Sequence, residues 1–144
     1  MNTFNEAEWI RLLFLLADTQ QWVDDLCCKA FMQLQVGNKK HLFKKDYYLT
    51  ATALAHIIER HYYKINRHPQ TGKFHIPVTE ILEHIRSAYA IEPAPMNGSC
   101  NYRRVSDTGN VIGYDNNGNP ASCITVITDN SGKIVTAFPS PATS

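Results

Sequence analysis

Residues 101–139, NYRRVSDTGNVIGYDNNGNPASCITVITDNSGKIVTAFP, decide the fold class. Four short runs, 101–105, 111–115, 122–128 and 134–138, alternate with clusters of turn formers. The clusters are Asp107-Thr108-Gly109-Asn110, Asn116-Asn117-Gly118-Asn119-Pro120 and Asp129-Asn130-Ser131-Gly132. Asn, Asp and Gly reach the left-handed backbone conformations that tight hairpins need, so each cluster reverses the chain. Three consecutive hairpins predict a four-stranded antiparallel meander. Arg103 and Arg104, adjacent on its first strand, should point to opposite faces.

Upstream of Pro93, Pro95 and Gly98 the pattern is helical. Residues 78–90, VTEILEHIRSAYA, turn Ile81, Leu82, Ile85, Ala88 and Tyr89 inward, with Thr79 near the cap. Residues 5–17, NEAEWIRLLFLLA, begin with a cap candidate at Asn5 and with Glu6 and Glu8 where the helix dipole favours acids. Trp9, Leu12, Leu13 and Leu16 form its stripe, and Phe14 and Leu15 widen it, which predicts a substantially buried helix. Asp18 or Thr19 then restarts a second helix over 20–34, whose Trp22, Leu26, Ala30 and Phe31 mark a core face and which Val36-Gly37-Asn38 ends. Helices first and sheet last make an α+β fold, with N-terminal helices packed on one face of a C-terminal four-stranded antiparallel sheet.

The 144 residues, 44% hydrophobic and 19% charged, suit a single domain with a real core. Within it, 1–48 form the N-terminal helical part, 49–139 the core that carries chemistry, and 140–144 a frayed tail. No apolar run approaches the roughly 18 residues of a membrane span. Glu6 and Glu8 precede the first apolar run in place of basic residues, so the start does not resemble a secretory signal. Four cysteines are too few for a disulfide-built scaffold; Cys100 and Cys123 could meet across the sheet or stay free, and the fold should not need them.

The net charge of +1 conceals an uneven distribution. Residues 41–104 hold nine Lys or Arg against five Asp or Glu, and all six histidines, so the centre of the chain is a candidate anion-binding surface or a plain solvated basic face. Within it lie a basic linker, KKHLFKK at 39–45, a turn-rich loop, NRHPQTG at 66–72, and a short extended piece, KFHIP at 73–77.

The most informative segment of that centre is TATALAHIIERHYY, residues 50–63. Leu54, Ile57, Ile58 and Tyr62 recur at helix spacing behind Thr50 or Thr52 as cap. At about 100° per residue, His56, Arg60 and Tyr63 share the outward side, while His61 falls beside Leu54 and Ile58 at the edge of the buried stripe. The pair can be a surface histidine and a hydrogen-bonded core histidine, or one fixed imidazole beside a cationic face. GxxxxGK[ST], GxGxxG, GxSxG and HExxH are all absent, and no histidine pair stands four apart, so no metal or other cofactor is expected. What remains is metal-free phosphodiester chemistry, for which histidine supplies proton transfer and Arg, Lys and Thr supply donors to the phosphorus oxygens.

Ala55-His56-Ile57-Ile58-Glu59-Arg60-His61 resembles the histidine helix of the RNase A-like toxin domains that end contact-dependent growth inhibition effectors. Thr136-Ala137-Phe138-Pro139 resembles the last strand of those domains and of the wider barnase, EndoU, colicin and RelE-like ribonuclease group. The resemblance implies a metal-independent endoribonuclease toxin that leaves a 2′,3′-cyclic phosphate on RNA, with tRNA among the candidate targets. It implies His61 as the proton-transfer residue with His56 as the other candidate, and Thr136 as the phosphate ligand. The catalytic cation falls to Arg60, Arg67 or Lys73, and Phe138 stands where the family often has tyrosine. It further implies a cognate immunity or antitoxin protein, a chain otherwise monomeric, and action in the bacterial cytoplasm after delivery as part of a larger effector. The alternative is a non-catalytic interaction module or immunity-like partner that binds through the basic, histidine-rich centre.

Overall fold

The computed structural model describes residues 4–34 and 47–142, so the helix stop at Val36-Gly37-Asn38 and the basic linker 39–45 lie outside the described residues. Helix α1 (Glu6–Leu34) is followed by α2 (Ala51–His61), strand β1 (Lys73–Phe74) and α3 (Val78–Ser87) with a 3₁₀ turn at Ala88–Ala90. The remaining strands are β2 (Ala94–Pro95), β3 (Tyr102–Asp107), β4 (Gly113–Tyr114), β5 (Pro120–Ala121), β6 (Cys123–Thr128) and β7 (Ile134–Ser140). The α+β architecture, with helices first and antiparallel sheet last, is therefore present.

The predicted break at Asp18 and Thr19 does not occur: α1 is one helix of 29 residues. No Gly or Pro interrupts it, the Thr19 hydroxyl donates back to the Leu15 carbonyl at 3.2 Å, and Gln20 and Gln21 donate to Asp24 and Asp25 one turn on. Nor is its first half substantially buried. Leu13 and Ala17 reach the core, with Trp9, Ile10 and Phe14 packed against it, while Leu12, Leu15 and Leu16 are exposed. Trp22, expected on a core face, is 77% exposed. A continuous helix keeps one face on α2, and the extra apolar residues that widened the stripe turn away from it.

The four-stranded sheet runs β2-β3-β6-β7, every neighbour antiparallel. It departs from the simple meander in one place. The strand expected at 111–115 leaves this sheet, and β4 pairs instead with β1 and β5 in a small three-stranded sheet. β3 pairs directly with β6 from Tyr102↔Thr128 to Asp107↔Cys123, so residues 108–122 are an excursion. The fourth place is taken by Ala94–Pro95, where proline is tolerated because β2 is an edge strand.

A register shift at Ile127/Thr128 makes Val135 an extra residue: Ile134 opposes Thr128 and Thr136 opposes Ile127. Ile134 and Ala137 therefore both enter the core despite their odd spacing, alongside Ile124 and Val126. Ile57 and Ile58 of α2 and Ile81 of α3 close over them, all fully buried. Each such side chain contributes roughly 1.5–3 kcal/mol. Arg104 is buried, its Nε donating to the Ile91 carbonyl at 3.0 Å and its guanidinium lying 4.8 Å from the Tyr47 ring, while Arg103 is exposed. Cys100 and Cys123 are free thiols, one exposed and one buried.

Glu6 ties α1 to the rest of the chain. Its Oε1 accepts from the Tyr62 hydroxyl and lies 3.5 Å from Lys64 Nζ, and its Oε2 accepts from the Val78 amide at 3.4 Å, capping α3 where no local side chain does. Partial burial pushes the carboxyl up, but the Tyr62, Val78 and Lys64 contacts outweigh it and the net shift is downward. A depressed folded-state value means a stabilisation that is complete above the unfolded pKa and is lost as pH falls through the folded one. Glu6→Gln should thus lower Tm relative to wild type at pH 7, with the gap closing near pH 3, below the carboxylate range. A gap of constant size at both pH values in thermal melts would contradict this coupling.

Candidate active site

Helix α2 begins where the Thr50 hydroxyl accepts the Ala53 amide at 3.1 Å. Thr52 instead donates to the Ala17 carbonyl, fastening α2 to α1. The helix stops after His61 because Tyr62 turns extended, is buried and bridges to Phe74. A side chain from the following loop and one from β1 serve its end. The Thr71 hydroxyl donates to the Arg60 carbonyl at 2.5 Å and Lys73 Nζ to the same oxygen at 2.6 Å. Lys73 is thereby a cation at a helix C-terminus, satisfying a carbonyl that the helix leaves unpaired.

His61 is half-buried, with Nδ1 at 2.9 Å from the Gly72 carbonyl. A carbonyl only accepts, so Nδ1 carries the hydrogen, and in the neutral ring Nε2 keeps its lone pair. Burial lowers the His61 pKa; the Gly72 carbonyl pulls the other way, and Lys73, His56 and Arg60 lower it further, for a net downward shift. The ring at neutral pH is therefore a base with a fixed tautomer. Gly72 has to be glycine, since a Cβ there would sit 2.9 Å from the Tyr114 carbonyl oxygen and 3.2 Å from Asp115 Cα.

His61 opens onto a cleft of about 370 Å³ walled by Gln70, Thr71, Asp115, Asn116, Phe138 and Ser140. The Phe138 ring lies 5.9 Å from the imidazole. Ser140 Oγ is 2.8 Å from Thr125 Oγ1, and Asp115 is tied into its own turn by the amides of Asn117 and Asn119. These amide bonds outweigh the little burial there is and hold the Asp115 carboxyl below its usual range.

Of the residues singled out from the sequence, His61 and Phe138 meet in this cleft. Thr136 lies one strand repeat back from Phe138 and does not line it. His56 is exposed and borders a separate hollow with Asp24, Thr50, Asp129, Lys133 and Val135; burial first, then Arg60, lower its pKa. Arg60 is exposed on the same helix. Arg67 pairs loosely with Glu59 at 3.6 Å, and Lys73 is engaged at the helix end. The sequence pattern does not single out Gln70, Thr71, Asp115, Asn116 or Ser140: Gln70, Thr71 and Asn116 sit in segments with turn composition, Asp115 closes the expected strand 111–115, and Ser140 opens the expected frayed tail. Strand β7 continues through Pro139 to Ser140 because it is an edge strand, where a proline removes no ladder bond.

Among the described residues no group of three or more His, Cys, Asp or Glu side chains could hold a metal, and no helix is long and apolar enough to cross a membrane. Compared with known protein families, curated proteins and solved structures, the chain matches none.

Proposed function

We propose that the chain is a metal-independent endoribonuclease of the bacterial toxin type, in which His61 is the general base. The observation that carries this reading is the His61 Nδ1–Gly72 carbonyl bond, which leaves Nε2 as the basic nitrogen on a ring that also borders an open polar cleft. In the proposed step Nε2 takes the proton of a ribose 2′-hydroxyl, whose oxygen forms a bond to phosphorus while the bond from phosphorus to the 5′-oxygen breaks. The departing 5′-oxygen takes a proton from water, and the hydroxide left behind takes the proton held on Nε2, which returns the imidazole to its neutral form. Gln70, Asn116 and Ser140, which line the cleft, supply neutral donors for the charge gathering on the phosphorus oxygens, and Arg60, exposed on α2 and near enough to lower the His61 pKa, is the candidate cation. In the cell such an activity acts on RNA in the bacterial cytoplasm and calls for an immunity or antitoxin protein.

The test is direct. Total RNA incubated with micromolar chain in EDTA should be cut, and the products should end in 2′,3′-cyclic phosphate and 5′-hydroxyl groups. RNA left intact in EDTA and again after divalent metals are restored would remove the enzymatic reading and leave the non-catalytic interaction module.

A further inference from the structure

Three rings that the proposed chemistry does not use stand together on the surface beside the cleft. His75 stacks on Tyr63 with ring centres 4.8 Å apart and planes inclined by 21°, and Tyr114 meets His75 edge-on at 5.1 Å. Tyr63 and Tyr114 are 42% and 41% exposed, large values for rings already packed against neighbours. Each ring rides on hydrogen-bonded backbone. The Tyr63 amide donates to the Phe74 carbonyl at 3.1 Å, the His75 amide to the Ile112 carbonyl at 2.8 Å, and Tyr114 pairs with Lys73 across the β1–β4 ladder. The buried Tyr62 ring meets Tyr63 in a T-shaped contact at 5.2 Å and is itself held by Glu6. Lys64 Nζ lies 5.8 Å from the centre of the Tyr63 ring, with its side chain 57% exposed.

The same short strands also lead into the cleft. Gly72, whose carbonyl holds His61, immediately precedes β1, and Asp115 and Asn116 immediately follow β4. At about 3.3 Å per strand residue, Gly72 and His75 are roughly 10 Å apart, a distance that a short oligonucleotide spans. Rigid aromatic faces flanked by lysine bind bases in single strands irrespective of sequence, because every base has a π-face and every linkage a negative charge.

From this juxtaposition we infer that Tyr63, His75 and Tyr114 form a stacking platform for an unpaired nucleobase of single-stranded RNA whose adjoining phosphodiester enters the His61 cleft. The inference rests on the ribonuclease reading, and its test separates the two. The probe is a fluorescein-labelled 2′-O-methyl RNA oligonucleotide, which lacks the attacking hydroxyl and cannot be cut, with binding read by anisotropy. Tyr63→Leu and Tyr114→Leu should each weaken binding by about 5- to 150-fold, the range expected for one lost stack. Tyr63→Phe and Tyr114→Phe should restore it, and circular dichroism should show all four variants folded. Wild-type affinity in both leucine variants, no binding by wild-type protein, or equal affinity for a duplex of the same sequence would each overturn the platform, since paired bases offer no free face. Binding that depends on the tyrosines in a chain that leaves ordinary RNA intact would uphold the platform and refute the base assigned to His61.

Discussion

Replacing His61 by alanine should reduce RNA cleavage by about 10²- to 10⁴-fold, the usual cost of removing an essential general base. The loss should come with little change in the melting temperature, because the ring is only half-buried and the bond it gives up, to the Gly72 carbonyl, is only part-buried. The pH profile gives a second reading. Burial, with Lys73, His56 and Arg60 nearby, holds the imidazole pKa below its ordinary value of about 6.5. The reactive form is the neutral one, so cleavage should already be at full rate at pH 7 and should fall only on acidification below that value. The same depressed pKa makes the unfolded chain bind more protons there, so the His61 contribution to stability is also lost as the pH falls. An H61A variant that cuts RNA as fast as wild type, or a rate that rises on acidification through pH 6, would displace His61 from the role.

Gly113→Ala should destabilise the chain by about 3 kcal/mol and weaken cleavage as well. A Cβ at this position would stand 2.1 Å from the Lys73 carbonyl oxygen and 3.0 Å from both Lys73 C and Phe74 Cα. All three are backbone atoms, so no side chain can swing aside, and overpacking against fixed neighbours carries a cost of this size. The displaced partner is β1, the strand that Gly72 leads into and that positions the carbonyl facing His61. Denaturant melts and initial cleavage rates should therefore fall together. A G113A variant as stable and active as wild type would mean that the β1–β4 pairing does not hold the cleft.

The fold class was legible because its determinants are local. The turn clusters at 107–110 and 129–132 and the β-branched run 122–128 specify β3, β6 and β7 with little help from the rest of the chain. Helix α2 was equally plain, down to His61 at the edge of its apolar stripe and His56 and Arg60 facing out. What escaped depends on contacts between distant segments. Gly113 and Tyr114 do form a hairpin, with Pro120 and Ala121, yet outside the main sheet, and their other neighbours are Lys73 and Phe74, about forty residues earlier. The inward turn of Ile134, three residues before the equally buried Ala137, follows from a bulge that period-two counting cannot anticipate. The tautomer of His61 is set by Gly72, eleven residues on and across a loop read only as turn-rich.

The excursion between β3 and β6 also bears on how the chain acquires and loses its site. His61, Gly72, Asp115 and Ser140 come from four separate parts of the chain, so their cleft closes only after the longest loops have been closed, which places it late in folding. β4 and β5 are two residues long each, against six in β6 and seven in β7. Few ladder bonds hold the small sheet, so its amides should exchange with solvent through local opening, while those of β6 should wait for global unfolding. A chain in that partly open state keeps its helices and its main sheet but has no assembled cleft.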